Sequence, residues 1–212
     1  MNILIVSATK IEIEDFINKN PEANILITGV GIALSTYSIT KCLLKNKYDI
    51  IIQAGIAGSF SNSYPLASVA IVKTEIFGTS GIKENKQFFT LEEKGLLRED
   101  DIFEGDILIN KNPLLNEFNY PKVKGVTVDM VTDESFDNCV IKTKFSPDVE
   151  SMEGAVLHYV CLKENVSFLQ LRSISNFVGE RNKEKWKFKE SVISLNEALQ
   201  NIYNSLIDKY AI

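Results

Sequence analysis

Short apolar runs rich in β-branched residues alternate along this chain with longer runs that have helical periodicity. The runs at residues 2–7, 24–28 and 48–53 are continuous and apolar, which is typical of strands buried on both faces. Helical patterns cover residues 32–45 and 187–209. This alternation predicts one α/β layer fold with a mostly parallel sheet and covering helices.

The rest of the chain continues this pattern without a linker or a repeat. Further strands are predicted at residues 67–77, 123–131 and 169–177. We interpret the polar, glycine-punctuated residues 78–105 as loops over one face of the sheet. The chain is therefore expected to form a single domain over residues 1–212.

Composition is that of an ordinary globular protein and limits the possible partners. Hydrophobic residues make up 45% of the 212 residues and charged residues 24%, which argues against disorder. The formal net charge is -5, and the lysines are scattered among acidic residues instead of forming a basic stripe. We therefore expect no nucleic-acid partner.

The three cysteines, Cys42, Cys139 and Cys161, show no CxxC spacing. This pattern is typical of free thiols in a reducing compartment, so we expect no metal site. We also expect no cofactor. No apolar run approaches membrane-spanning length, and the apolar N-terminus is too short and uncharged for a signal peptide. We expect a cytoplasmic protein without a membrane partner.

Polar residues stand where predicted strands and helices meet. In open α/β sheets, ligands lie beyond the carboxyl ends of the strands, which is where Asn176 lies. Glu12 follows the first strand at the same rim and is a candidate general base. Glu153 begins a helical run and is a candidate acceptor for ligand hydroxyls. Each residue has a purely structural alternative: a capping box with Thr9 for Glu12, a helix-dipole partner for Glu153 and a turn residue for Asn176.

Two turns rich in small residues follow predicted strands. They are Gly29-Val30-Gly31 and Ala54-Gly55-Ile56-Ala57-Gly58-Ser59. Glycines at such turns let backbone amides approach a ligand, although a single turn of this kind is often only a tight turn. Gly31, Ala57 and Gly58 are therefore candidate binding residues.

One aromatic residue and the single histidine have structural interpretations as well. Phe136 follows the strand predicted at residues 123–131, where the sequence fits stacking on a planar ligand and packing in the core equally well. His158 lies on the helical run after Glu153. We interpret it as a packing residue and not as a base or a metal ligand.

In combination, these segments resemble the nucleoside phosphorylase and nucleosidase superfamily over nearly the whole chain. The similarity rests on Glu12 after the first strand, Gly29-Val30-Gly31, Gln53-Ala54-Gly55-Ile56-Ala57-Gly58, Val149-Glu150-Ser151-Met152-Glu153 and Arg172-Ser173-Ile174-Ser175-Asn176. It is strongest to the nucleosidases that hydrolyse methylthioadenosine and adenosylhomocysteine. The resemblance implies a three-layer α/β/α fold with a central mixed, mostly parallel, twisted and partly barrel-like sheet. It also implies a homodimer or a larger homo-oligomer.

The same resemblance implies roles for individual residues. Glu12 matches the carboxylate that activates water at the anomeric carbon. Glu153 matches the residue that binds the ribose hydroxyls, with Met152 under the sugar. Phe136 matches the aromatic that stacks on the purine, and Asn176 matches the residue that contacts N7 and the 6-position.

Asn176 and the segment after it narrow the range of possible nucleoside substrates. Adenosine-type nucleosidases have Asp at the matching position, whereas an amide NH₂ donor suits a 6-oxo group and N7. Hypoxanthine or guanine is therefore the implied leaving base, because a missing or reversed hydrogen bond in a buried site costs about 1–3 kcal/mol. Residues 176–186 are similar to the corresponding segment of the futalosine hydrolases. These enzymes split futalosine into hypoxanthine and a dehypoxanthinyl sugar on an alternative menaquinone route.

Arg181 lies in this segment. It is a candidate partner for the carboxylated aromatic tail that futalosine bears at its 5′ position. The alternative is that Arg181 belongs to a solvated charged loop.

Other activities within and beyond this superfamily stay open. Its phosphorylases hold phosphate with arginines, and here Arg98, Arg172 and Arg181 lie away from the first-strand turn and the Gly29 turn, which favours water as the nucleophile. The alternatives are a methylthioadenosine/adenosylhomocysteine-type nucleosidase, a 6-oxopurine nucleoside phosphorylase and a nucleoside-binding protein that has lost catalysis. Glu12 beside Glu153 argues against the last, since binding a sugar needs no water-activating base.

Overall fold

A computed structural model of the chain describes residues 1–85, 87–97, 102–131, 133 and 136–210. In these residues a nine-stranded sheet and a separate two-stranded hairpin are accompanied by five α-helices. The helices are α1 (Glu14–Lys19), α2 (Ile32–Lys45), α3 (Phe136–Phe145), α4 (Gly154–Lys163) and α5 (Phe188–Tyr210). The strands are β1 (Ile3–Ser7), β2 (Asn24–Ile27), β3 (Ile50–Ser59), β4 (Val69–Glu75), β5 (Gly81–Glu84), β6 (Gln87–Thr90), β7 (Phe103–Glu104), β8 (Ile107–Ile109), β9 (Lys122–Thr127), β10 (Val149–Ser151) and β11 (Ser167–Phe177).

The large sheet closes on itself at its centre. Its order is β2-β1-β3-β10-β9-β4-β8-β7, and β11 pairs with both β3 and β4. Strands β3, β10, β9, β4 and β11 therefore form a ring, which β1 and β2 extend as parallel strands on one side. Within the ring, β11 runs parallel to β3 and antiparallel to β4. The mixed, mostly parallel and partly barrel-like sheet is thereby confirmed.

Helices cover both faces of the sheet. On one face, Leu199 of α5 packs in a cluster with Ile5 of β1. On the other face, Ile39 of α2 and Leu157 of α4 pack in a cluster with Leu4 of β1. Because neighbouring residues of β1 point into opposite clusters, this strand is buried on both faces, as its continuous apolar run predicts. The result is the predicted three-layer α/β/α arrangement.

The sequence also predicts a helix over residues 10–18, with Ile11, Phe16 and Ile17 on one face, and the structure shortens and divides it. A 3₁₀ turn over Lys10–Glu12 precedes α1. Ile11 is 56% exposed, so it does not share the buried face of Phe16, and that part of the prediction is wrong. The division has a local cause, since the Glu12 side chain bonds back to Thr9 within the turn.

Several elements lie where the sequence predicts none: the short strands β7, β8 and β10, and also a hairpin and a helix. Strands β5 and β6 pair as a hairpin inside the segment interpreted as loops. Helix α3 begins where the sequence predicts only the end of a strand. The hairpin and α3 are poor in buried apolar residues, and Ile141 is the buried hydrophobic side chain of α3 among those described. Their periodicity in the sequence is correspondingly weak.

In the described ranges, no helix combines the length and the apolar character that crossing a membrane requires. The three cysteines are free thiols. Cys161 is buried and Cys42 is half-buried, whereas Cys139 is exposed on α3.

Candidate active site

A cavity of about 510 Å³ opens at the carboxyl ends of β1, β3 and β11. Its wall comprises the turn after β1, the end of β3, β10 with the start of α4, and the segment that follows β11. This is the edge at which α/β sheets bind ligands. The structure brings together in this wall most of the residues predicted for the site, namely Glu12, Ala57, Gly58, Met152, Glu153, Asn176 and Arg181.

The Glu12 carboxylate is held by donors from two strand ends. Its Oε2 accepts hydrogen bonds from Thr9 N at 3.0 Å, from Thr9 Oγ1 at 2.8 Å and from Ser7 Oγ at 3.2 Å. Its Oε1 accepts from Ile56 N at 3.1 Å. Glu12 therefore bonds back to Thr9, as the structural interpretation predicts, and it also lies in the cavity wall, as the functional interpretation predicts. Glu12 is 6% exposed, so these four donors fix a nearly buried carboxylate.

Glu153 faces the same cavity from the N-cap position of α4. Its Oε1 accepts a hydrogen bond from Gly31 N at 3.0 Å, and its Oε2 lies 3.8 Å from Arg172 Nη1. Burial raises the pKa of Glu153 above its ordinary value, while Arg172 and the Gly31 N–H oppose this effect and the charge of Glu12 adds to it. The carboxyl group thus keeps a fixed place in a site of restricted solvent access.

Gly31 contributes to the site through Glu153. It has a φ of 96° at the N-cap of α2, a backbone conformation that favours glycine. Its neighbour Val30 lies in the cavity wall. Gly31 itself donates its N–H to the carboxylate of Glu153, which lies in the same wall. Gly31 therefore orients a wall residue.

Arg172 is the site residue that sequence reasoning did not single out. It is 2% exposed, its Nη2 donates to Gln53 Oε1 at 3.0 Å, and its Nη1 donates to Ile56 O at 3.4 Å. A Cβ at Gly55 would lie 2.4 Å from Arg172 Nη1 and 3.1 Å from Glu12 Oε1, so the guanidinium and the Glu12 carboxylate both approach β3 where it has no side chain. Glu153 Oε2 lies 3.8 Å from the same guanidinium nitrogen. The available signal was one arginine inside the apolar run at residues 169–177.

Asn176 places its amide over Gly58. The strand is irregular between Ile174 and Asn176, and a Cβ at Gly58 would lie 3.3 Å from Asn176 Nδ2. Asn176 Oδ1 accepts from Ser175 Oγ at 2.7 Å, and Nδ2 donates to Phe177 O at 2.9 Å. Since an amide nitrogen carries two hydrogens, one donor is left for a ligand.

Two further ionisable residues line the cavity. Burial raises the pKa of Glu150 to about 7, against an opposing effect of Arg181. Arg181 is exposed at the cavity mouth, and its guanidinium carbon lies 5.6 Å from the centre of the Trp186 ring. The Trp186 indole N–H in turn donates to Glu180 O at 2.9 Å. The mouth therefore combines a cation with an aromatic ring.

Phe136 is the predicted site residue that the structure does not test. It is the first residue of α3, and its side chain lies outside the described part of the chain. Stacking on a ligand accordingly stays a prediction.

A family model matches nearly the whole chain. The model of the phosphorylase superfamily matches residues 6–208. A futalosine hydrolase from Thermus thermophilus is 25% identical over 179 residues, which cover 84% of this chain and 79% of that relative. A futalosine hydrolase from Acidothermus cellulolyticus is 24% identical over 179 residues, which cover 83% of this chain and 73% of that relative.

Solved structures share the fold. The native futalosine hydrolase of Helicobacter pylori has a TM-score of 0.79 at 16% identity and covers 96% of this chain and 97% of its own. The 5′-methylthioadenosine/S-adenosylhomocysteine nucleosidase of Helicobacter pylori, solved with butyl-thio-DADMe-Immucillin-A, has a TM-score of 0.80 at 15% identity, with coverage of 96% and 97%. At these identities the likeness shows the fold, which agrees with the predicted fold class.

Proposed function

Because the chain belongs to the phosphorylase superfamily, we propose that it acts on futalosine, hydrolysing its N-glycosidic bond to release hypoxanthine and dehypoxanthine futalosine in menaquinone biosynthesis. Both curated relatives described above are futalosine hydrolases. The observation that carries the proposal is one cavity in which Glu12 and Glu153 converge on the buried Arg172, with the Asn176 amide at the rim. This set of groups fits a ribosyl sugar joined to a 6-oxopurine.

Glu153 binds the 2′ and 3′ hydroxyls of the ribose, and Met152 packs beneath the sugar. A carboxylate has several lone pairs, and the Gly31 N–H uses one of them, which leaves acceptors for two hydroxyl protons. Because Gly31 and Arg172 fix the carboxylate, the bound sugar takes one orientation. Its anomeric carbon is then presented to the nucleophile, which is an orientation effect.

Glu12 deprotonates the attacking water. This role requires a carboxylate within hydrogen-bond reach of the water, and Glu12 lies in the wall of the same cavity as Glu153. As the glycosidic bond lengthens, the anomeric carbon becomes oxocarbenium-like. Two nearby carboxylates stabilise that positive charge in a partly dry site.

Asn176 binds the base beside Ala57 and Gly58. Its remaining amide hydrogen points into the cavity as a fixed donor for N7 or the 6-oxo group. A 6-amino group offers a donor in place of an acceptor, so adenine nucleosides lose the bond that a 6-oxo group makes. The expected discrimination is tenfold or more.

Arg181 and Trp186 receive the 5′ tail of futalosine. The tail combines a carboxylate with an aromatic ring, and the mouth of the cavity offers a guanidinium beside an indole. An exposed charge of this kind contributes a modest attraction, so the tail adds selectivity to binding of the nucleoside.

Water is the proposed nucleophile because, in the described part of the chain, no arginine is free to hold phosphate beside Glu12 and Glu153. Of the arginines in the described ranges, Arg172 already bonds to Gln53 and Ile56 and lies beside Glu153. A phosphate near the anomeric carbon would also meet the charges of Glu12 and Glu153. A phosphorylase is therefore disfavoured.

We also propose a cytoplasmic location and a homodimer or a larger homo-oligomer. Free cysteines suit a reducing compartment. Exposed apolar side chains suit a subunit contact, namely Ile11, Val30 and Val131 in the cavity wall and Leu34, Tyr37 and Met130 elsewhere on the surface.

The test is base release from futalosine, inosine and methylthioadenosine in phosphate-free buffer. Wild type is compared with Glu12→Gln, and Glu14→Gln serves as the matched control because Glu14 is exposed and pairs only weakly with Lys10 at 3.5 Å. We expect hypoxanthine release from futalosine to exceed that from inosine, to need no phosphate, and to fall about 10²–10⁴-fold in Glu12→Gln alone.

The other outcomes separate the alternatives. Adenine release as the main activity would identify an adenosine-type nucleosidase. Turnover only after addition of phosphate would identify a phosphorylase, and absence of base release under both conditions would favour a binding protein.

A further inference from the structure

Glu150 lies in the cavity but has no role in the steps above. Strand β10 places Glu150 opposite Gly58 of β3, and β11 places Asn176 opposite the same glycine on the other side. Neighbouring strands are about 4.8 Å apart, so Glu150 and Asn176 are separated by about 10 Å at the backbone. Both side chains line the cavity, and the position between them has no side chain. A Cβ at Gly58 would lie 3.0 Å from Val178 Cγ2 and 3.3 Å from Asn176 Nδ2, so a planar base between Glu150 and Asn176 would lie in the cavity beyond these groups.

The carboxyl group of Glu150 makes no hydrogen bond to any of the described residues. Glu150 is nevertheless 6% exposed. Its oxygens are not fully enclosed, because they open onto the cavity, and a largely buried polar group without a protein partner calls for one there. Because the group lines the proposed substrate cavity, a bound ligand is the natural partner.

The proposed reaction lacks a proton donor. When the glycosidic bond breaks, the purine takes the electron pair and becomes a far better leaving group if it is protonated. The amide of Asn176 donates a hydrogen bond, but an amide does not release its proton. Another acid has to face the base.

We propose that Glu150 is the general acid, which donates its carboxyl proton to a ring nitrogen on the edge of the base that faces away from Asn176. This inference rests on the proposed function. Burial raises the pKa of Glu150 to about 7, so a large fraction of the group carries its proton near neutral pH.

The scheme balances without a further reactant. The C1′–N9 bond breaks, its electron pair goes to the base, and the Glu150 proton bonds to that base. The water oxygen bonds to C1′, and Glu12 accepts the water proton. A proton then returns from Glu12 to Glu150 through solvent, which restores both groups.

The surroundings of Glu150 favour its protonated form. Burial has the larger effect, and Arg181, from the segment after β11, is the positive group that opposes it. Across the cavity are Glu12 and Glu153, and ionised Glu150 would add a third carboxylate to theirs. The paired strand positions, Gly58 of β3 and Val126 of β9, carry no charge.

The test compares two leaving groups that differ in their need for a proton. Hypoxanthine release from futalosine and 4-nitrophenol release from 4-nitrophenyl riboside are measured for wild type and Glu150→Gln. The matched control is Glu164→Gln, since Glu164 is an exposed residue at the end of α4. The pH dependence of kcat/KM is measured for wild type and both variants.

We expect Glu150→Gln to lose about 10²–10⁴-fold in hypoxanthine release and to keep 4-nitrophenol release within about threefold of wild type. Wild-type kcat/KM with futalosine falls as pH rises through about 7, where Glu150 loses its proton, and the variant lacks this decline. Glu164→Gln behaves as wild type with both substrates.

Three results would overturn the inference. They are hypoxanthine release by Glu150→Gln at the wild-type rate, an equal loss with both substrates, and a wild-type profile without an alkaline decline. The last measurement needs no variant, so it decides even if Glu150→Gln does not fold. A wild type that releases no base would instead overturn the proposed function, and the inference with it.

Discussion

Arg172 organises the candidate site without facing a ligand directly. Its guanidinium is 2% exposed and lies between Gln53, Ile56 and Glu153. A buried cation is tolerated when carboxylates and carbonyls surround it, and removing one partner leaves an uncompensated charge. Arg172 is therefore expected to position Glu153 for the proposed contact with a sugar.

Asn176 is expected to decide the choice of base. We predict that Asn176→Asp raises the ratio of adenine release from methylthioadenosine to hypoxanthine release from inosine by at least about tenfold. The physical reason is that a carboxylate accepts from a 6-amino group, whereas the amide donates to a 6-oxo group. Steady-state kcat/KM for the two nucleosides measures the ratio.

Asn182→Asp is the matched control for this change. Asn182 makes the same kind of local bond, accepting from Glu184 N at 3.0 Å, but it lies in an exposed turn. An unchanged ratio in Asn176→Asp would show that this residue does not read the base.

The sequence predicts the polar residues at strand ends better than those within the ring of strands. Glu12, Glu153 and Asn176 follow strands or begin a helix, so local pattern alone places them on the binding edge. Arg172 and Glu150 acquire their neighbours only when β11 and β10 flank β3. Those pairings join residues far apart in the sequence, which a local pattern does not reveal.

Helix α5 holds the turn that carries Glu12. The Asn196 side chain accepts from Phe16 N at 2.9 Å through Oδ1 and donates to Glu12 O at 2.9 Å through Nδ2. Asn196 is buried, so these bonds link the last helix to the 3₁₀ turn after β1 in the interior of the protein. The position of the Glu12 carboxylate thus depends on α5.

We predict that Asn196→Ala destabilises the fold and slows turnover. The buried Phe16 N–H and Glu12 carbonyl lose their partners, at a cost of about 1–3 kcal/mol each. Displacement of Glu12 by a fraction of an ångström lowers kcat by about tenfold to a hundredfold, while KM changes little because the sugar contacts remain. Urea unfolding and steady-state kinetics with futalosine measure the two effects.

Asn204→Ala provides the comparison, since Asn204 is an exposed residue of the same helix whose side chain bonds only to Gln200. We expect it to leave both quantities near wild type. If Asn196→Ala lost stability but kept its full kcat, the link from α5 to Glu12 would not be catalytically relevant.

Most of the strands and helices that pack in the core are those that the sequence predicts, with the short strands β8 and β10 as exceptions. β1, β3 and α5 have strong patterns because their apolar residues enter the two main clusters. The β5–β6 hairpin and α3 lie at the surface, where polar residues are tolerated on most faces. Without burial on a repeating face, periodicity carries little information about secondary structure.

Where the sheet closes on itself, the buried carboxyl group of Glu75 joins elements that are far apart in the sequence. Glu75 of β4 is 1% exposed, and its carboxylate accepts from Gln170 Nε2 of β11 at 2.9 Å and from Thr127 Oγ1 of β9 at 3.1 Å. A Cβ at Gly154 would lie 2.0 Å from Glu75 Oε1, so the start of α4 also packs against this group. One carboxyl thus joins three strands of the ring to a helix.

This centre is expected to make stability depend on pH. Burial raises the pKa of Glu75 to about 7, although the bonds from Gln170 and Thr127 oppose the shift. Between its ordinary pKa of 4.5 and about 7, folded Glu75 keeps a proton that the unfolded chain has released. The free energy of unfolding therefore falls as pH rises through this window. Burial lowers the pKa of His158 to about 3, which has the opposite effect below its ordinary value of 6.5.

The variant Glu75→Gln isolates the contribution of Glu75 to the pH dependence of the unfolding free energy. Because Glu150 and His158 titrate alike in both proteins, the difference in unfolding free energy between wild type and variant reports Glu75 alone. We predict that this difference changes in favour of the variant as pH rises from about 5 to about 7, by at most about 1.4 kcal/mol per pH unit. Urea unfolding at fixed protein concentration measures it, and Glu164→Gln should show a constant difference. A difference independent of pH for Glu75→Gln would mean that Glu75 is ionised in the fold, since only a proton held in the folded state produces this slope.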